Sequence, residues 1–114
     1  MAYKIDRWIV HDDYDVFGEY LIQQMLSALD MAQEVAYRAA KDESIPLPDR
    51  LRAVGGAVSM LDNLLASEAL SNVTSDETGK TPVKEARDHM EMLLMRLQME
   101  MVESAAESGQ PGPT

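Results

Sequence analysis

Met90-Glu91-Met92-Leu93-Leu94-Met95-Arg96-Leu97-Gln98-Met99-Glu100-Met101-Val102 is the stretch that decides how this chain folds. Within it and its flanks, Val83, Ala86, Met90, Leu93, Leu94, Leu97, Met101 and Ala105 recur every three or four residues. That spacing places side chains on one face of a helix. Met92, Met95, Met99, Val102 and Ala106 form a second apolar stripe beside the first. A helix packed only on its own chain needs one stripe, about 100° wide. Nearly twice that width predicts a further covering surface: another helix of the chain, another subunit or a separate partner. Thr81 followed by Pro82 marks the start of this helix, a hydroxyl cap and then a proline at the first helical position. The pattern predicts a helix over 82–108, closed by Gly109. Beyond it, 109–114, with Pro111, Gly112 and Pro113, is expected to be a disordered tail.

Two further helices precede it. Asp12, Asp13 and Asp15 supply cap candidates and negative charge at a helix start, where the dipole favours it. From there Phe17, Leu21, Met25, Ala28, Ala32, Val35 and Ala39 keep a regular three-four spacing, widened by Ile22, Leu26, Leu29 and Ala36. The first helix is expected over 15–42, with Gly18 a modest penalty of about 1 kcal/mol. Pro46 and Pro48 force Ile45 and Leu47 toward extended geometry and end that pattern. Leu51, Val54, Val58, Leu61, Leu65 and Ala69, with Ala57, Leu64 and Leu70 beside them, predict a second helix over 48–71. Gly55-Gly56 falls inside it, which suggests close helix packing or a local kink. Residues 71–81 are polar turn formers without an apolar period.

Residues 1–14 are unlike the rest. Tyr3, Ile5, Trp8, Ile9 and Val10 alternate only in part, and five of the six aromatic residues lie within the first twenty positions. An aromatic N-terminal arm that clasps its own or a neighbouring bundle is the expectation, since a lone strand is marginal by itself. The fold class is therefore expected to be all-α: three long helices in an antiparallel bundle over 15–108, with a short aromatic arm, self-associating. Three thin helices with excess apolar width predict a homo-oligomer, a dimer or a higher closed ring.

Composition bounds the chemistry. The 114 residues fit one domain, 46% of them are apolar, and there is no cysteine to build a disulfide, a thiolate metal site or a thiol nucleophile. Residues 1–10 carry Lys4, Asp6 and Arg7 and lack the apolar core of a signal peptide. No uncharged apolar run approaches the length of a membrane span, so a cytoplasmic protein without membrane contact is expected. Twenty acids against ten bases leave a net charge of −10, which disfavours direct binding to nucleic-acid backbone and suits a basic protein surface as partner. The simpler consequence of that charge is solubility.

No motif of a known chemistry appears. His11 and His89 are the only histidines, so paired metal-binding motifs of a carboxylate bundle are missing. Glu85 and His89, with Asp88 and Glu91 adjacent, are read as solvated side chains rather than as a metal site. Asn72-Val73-Thr74 matches a glycosylation acceptor, treated as chance without a signal peptide. No catalytic residues, cofactor or metal are therefore assigned. Arg38 and Lys41 end the first helix while Arg50 and Arg52 open the second; with Tyr37 to stack a base, they form the one candidate anion or nucleotide site. Ordinary dipole compensation and pairing to neighbouring acids explain the same bases. The leading expectation is a non-enzymatic, acidic interaction protein that oligomerises and binds another macromolecule through Met92, Met95, Met99 and Val102. Inhibitors of the kind that phages direct at host machinery fall in this class. A nucleotide-sponge oligomer and an assembly or chaperone subunit are the alternatives.

Overall fold

The structure is a computed structural model and describes residues 2–107. The expected tail at 109–114 lies outside the described residues. Along the chain run β1 (Tyr3–Ile5), β2 (Trp8–Val10), α1 (Val16–Lys41), α2 (Leu47–Ala66), β3 (Val73–Ser75) and α3 (Pro82–Glu107). Three helices packed on one another carry a small antiparallel sheet of order β1-β2-β3.

Each helix boundary has a local cause. Asp15 caps α1 by accepting a hydrogen bond from the Gly18 amide at 2.7 Å. Gly18 is required there, because a Cβ would come within 2.9 Å of the Tyr14 ring. At the other end the Asp42 carboxylate accepts bonds from the Ser44 amide and hydroxyl at 3.0 and 2.5 Å, closing the turn into α2. Pro46 holds the cap position of α2 and Pro48 lies in its first turn, where a missing amide hydrogen costs nothing. Thr81 accepts from the Lys84 amide at 3.4 Å and opens α3.

Arg50 bonds to the Ala40 carbonyl, and Arg87 pairs with Asp62, so both neighbouring helix pairs run antiparallel. α1 and α3 consequently run parallel, with Gln33 beside His89 between them. The core gathers Ile22, Leu26, Leu29, Ala36 and Ala40 of α1, Val54 and Leu61 of α2, and Val83, Ala86, Met90, Leu93 and Leu97 of α3. Trp8, Val10, Leu70 and Val73 extend it to the sheet end.

Three features depart from the sequence-based expectation. The aromatic arm is a β-hairpin, with Asp6 at φ 54° in its turn and Ile5 paired to Trp8. The polar segment after α2 supplies its third strand, Val10 opposite Val73. The class is thus helical with a small sheet rather than all-α. An isolated hairpin is marginal, but a third strand and a helix to pack on make it viable. Second, α2 stops at Ala66 instead of 71, because Glu68 and Leu70 adopt left-handed backbone at φ 57° and 59° and turn the chain toward β3. Third, the regular α1 stripe of Phe17, Leu21, Met25, Ala28 and Val35 stays exposed, while the neighbouring stripe is buried. Both stripes are apolar and lie side by side, and α1 meets α2 and α3 over one side only, so spacing alone could not choose between them.

Candidate interaction surface

Up to Leu97 the first apolar stripe of α3 faces inward and the second faces out, whereas Met101 and Ala105 of the first stripe are exposed. Met90 and Leu97 are buried, whereas Met92, Met95, Met99 and Val102 are 64, 58, 64 and 70% exposed. At 100° per residue Met99 lies more than half a turn round from Leu97, so these four side chains form a ridge pointing away from the bundle. Gln98, Met99 and Val102, with Met95 and Glu103, border a shallow hollow on this ridge. From Gln98 onward every described residue of α3 is exposed.

A second apolar surface lies between α1 and α2. Met25, Ala28 and Ala32 form one wall and Met60 and Leu64 the other, with Leu70 at the end, around a trough of about 270 Å³. The exposed α1 stripe continues it through Leu21 and Val35. Neither 20–29 nor 53–61 contains a charged residue, a signal that was present in the sequence and that periodicity alone did not reveal. Gly55 and Gly56 sit on α2 in open space, where an added Cβ meets nothing within 4 Å. The helix runs through them without interruption, so within this chain they serve neither close packing nor a kink.

The candidate anion site is dispersed among local pairings. Arg38 pairs with Glu34 at 2.6 Å, Lys41 stands over the Tyr37 ring at 4.4 Å, and Arg52 lies 3.7 Å from Asp49. Arg50 caps α1 by donating to the carbonyls of Ile45 and Ala40 at 2.9 and 3.3 Å. The hollow beside Arg50 is lined by Glu43, Glu100, Glu103 and Glu107, so an anion there meets four carboxylates. Tyr37 instead borders a separate hollow with His89, Met92 and Arg96.

Glu85 bonds toward the hairpin, while His89 bonds to Gln33 of α1. The buried Glu85 carboxylate accepts from Arg7 at 2.5 Å and from the Thr78 hydroxyl at 3.2 Å, and Arg7 also lies 4.4 Å from the Trp8 ring centre. This contact clamps the hairpin to α3, and a lone glutamate in a helical pattern gave no sign of it. His89 faces Gln33 at 3.2 Å, and His11 faces Thr74 at 2.7 Å. Among the described residues no three His, Cys, Asp or Glu side chains gather in a metal-binding group. Along the outer α2–α3 seam, Lys80 and Lys84 lie 2.8 and 3.3 Å from Asp88 and hold its carboxyl below the usual range, the Lys80 hydrogen bond being the main cause. Arg87 joins Asp62 and Glu91, and Asp62 pushes the guanidinium further up. Among the described residues no helix is long and apolar enough to cross a membrane. No protein-family model matches the chain, and no curated protein or solved structure matches it significantly.

Proposed function

We propose that this chain is a non-enzymatic helical interaction protein that self-associates and binds another macromolecule, with the outer face of α3 as its contact. The observation that carries the reading is the exposed ridge of Met92, Met95, Met99 and Val102. Four large apolar side chains in one row, left to water, favour burial by roughly 1–2 kcal/mol each. Methionine suits such a face because its unbranched, polarisable side chain adapts to an irregular partner surface. Contiguous exposed apolar rows of this kind mark contact sites more often than chance.

The net charge of −10 steers the complex toward a basic partner surface, an effect on encounter rate and selectivity more than on affinity. A non-enzymatic role is supported by how the polar groups are used: the ion pairs and helix caps described above occupy them in holding the helices and hairpin together.

Sedimentation of the wild-type chain across a concentration series tests the reading. Particle mass is expected to rise above 12.7 kDa with concentration. A constant single-chain mass up to about 100 μM, a concentration that detects associations as weak as roughly −5.5 kcal/mol, would refute it.

A further inference from the structure

We propose that the trough between α1 and α2 is the seat for the α3 methionine ridge of a second copy of this chain, a head-to-tail contact that rests on reading that ridge as the contact face. The two surfaces lie on different sides of the bundle. The trough opens between α1 and α2, whereas the ridge points outward from α3, so a chain does not fill its own trough.

Charge selects the occupant. Two copies each bearing −10 repel, so their contact belongs where charge is sparse. None of the residues lining the trough is charged, although Asp30 and Asp62 fall within the wall segments. A ridge-to-ridge pairing instead gathers the carboxylates around it, because 91–107 holds Glu91, Glu100, Glu103 and Glu107 against the single base Arg96. Setting the ridge in a trough with an uncharged lining lessens that repulsion.

Size and length agree with this. The trough walls are small at Ala28 and Ala32, which makes holes for large knobs. The ridge supplies knobs at 92, 95, 99 and 102, a three-four-three spacing about 15 Å long at 1.5 Å per residue. The α1 wall of the trough, 25 to 32, is about 10 Å long by the same rise, and the exposed stripe that continues it through Leu21 and Val35 lengthens the surface to about 21 Å, enough to receive the ridge. A specific interface needs about 1,000 Å² in total, so the ridge must cover the exposed α1 stripe through Leu21 and Val35 as well as the trough itself. Because the two halves differ, the contact is heterologous and generates a ring or an open chain of copies rather than a two-fold dimer.

Two variants separate this arrangement from its alternatives. A trough variant carries Ala28→Glu and Met60→Glu, and a ridge variant carries Met95→Glu and Met99→Glu, all at exposed positions. In sedimentation velocity the wild type is expected to grow in mass with concentration, and each variant alone to stay a single chain. Their equimolar mixture is expected to double in mass and stop there, because only one sound trough and one sound ridge remain to meet. If the trough variant still dimerises alone, ridge meets ridge; if the ridge variant does, trough meets trough; either result overturns the head-to-tail contact. So does a monomeric mixture beside an associating wild type, and that outcome leaves the broader interaction reading standing. A wild type that stays monomeric throughout removes both. Should a double variant lose its far-UV circular dichroism, the single changes Ala28→Glu and Met99→Glu carry the same comparison.

Discussion

Replacing Gly55 and Gly56 together with alanine is expected to stabilise the isolated chain. Both residues lie in the interior of α2, which continues from Leu47 to Ala66 through them. Neither adopts a left-handed backbone, and a Cβ built at either position meets nothing within 4 Å. The substitution therefore introduces no clash. Its gain comes from the unfolded state, where alanine has fewer backbone conformations to lose, and from removing backbone exposed in the helix. Each glycine in a helix interior is about 0.8–1.0 kcal/mol less favourable than alanine, and compatible Gly→Ala changes deliver about 0.4–1 kcal/mol. The pair is thus worth roughly 1–2 kcal/mol, a rise in Tm of about 5–10 °C for a domain of this size. Urea denaturation followed by circular dichroism measures it, at a dilution where sedimentation shows single chains so that assembly does not add to the midpoint. The m value is expected to stay unchanged, since the same surface is exposed on unfolding. A double variant no more stable than the parent, or less stable, would show that something must approach the α2 backbone closely even in the single chain.

Arg7→Ala is expected to destabilise the fold by about 3 kcal/mol, because it leaves the buried Glu85 carboxylate with only Thr78 as partner. A loss below about 1 kcal/mol in chemical denaturation, typical of an exposed pair, would mean that the clamp between hairpin and α3 is dispensable. Stability should also fall on the acid side in part through Asp88. Its carboxyl is held low in the folded chain by Lys80 and then Lys84, so the folded state binds its proton less readily than the unfolded one. That contribution is fully present above the ordinary carboxylate value near pH 4 and is lost as pH falls through the lowered folded value. Asp88→Asn should therefore flatten the decline in urea midpoint between about pH 5 and pH 2, and an unaltered slope would contradict it.

The helices are legible in the sequence because their signals are local. Thr81-Pro82, the Asp15 cap and the Pro46–Pro48 break each act within a few residues of the boundary they set. The expected spans of 15–42 and 82–108 consequently lie close to the observed Val16–Lys41 and Pro82–Glu107. The doubly apolar circumference of the third helix was equally readable, since it depends only on the three-four spacing along one segment. The end of α2 was not, because two non-glycine residues in left-handed backbone, Glu68 and Leu70, are held there by the tertiary turn toward β3.

What tertiary structure alone decided is which of several locally equivalent options each segment takes. A partial alternation at residues 3–10 is too short to be a strand until Val73–Ser75, more than sixty residues away, pairs with it. Glu85 looks solvated in the sequence until the hairpin lays Arg7 across it. Among the five candidate anion-site residues, Arg38, Lys41 and Arg52 meet partners three or four residues away on their own helices, as the sequence allowed, whereas Arg50 reaches the Ala40 carbonyl only because α2 folds back on α1. On α1 two apolar stripes compete for one buried side, and only the positions of α2 and α3 settle that Ile22, Leu26 and Leu29 go in while Leu21 stays exposed and Met25 and Ala28 border the open trough. Helix formation is governed by neighbours along the chain, whereas the choice of face is governed by contacts distant in sequence, and single-chain periodicity carries no information about those.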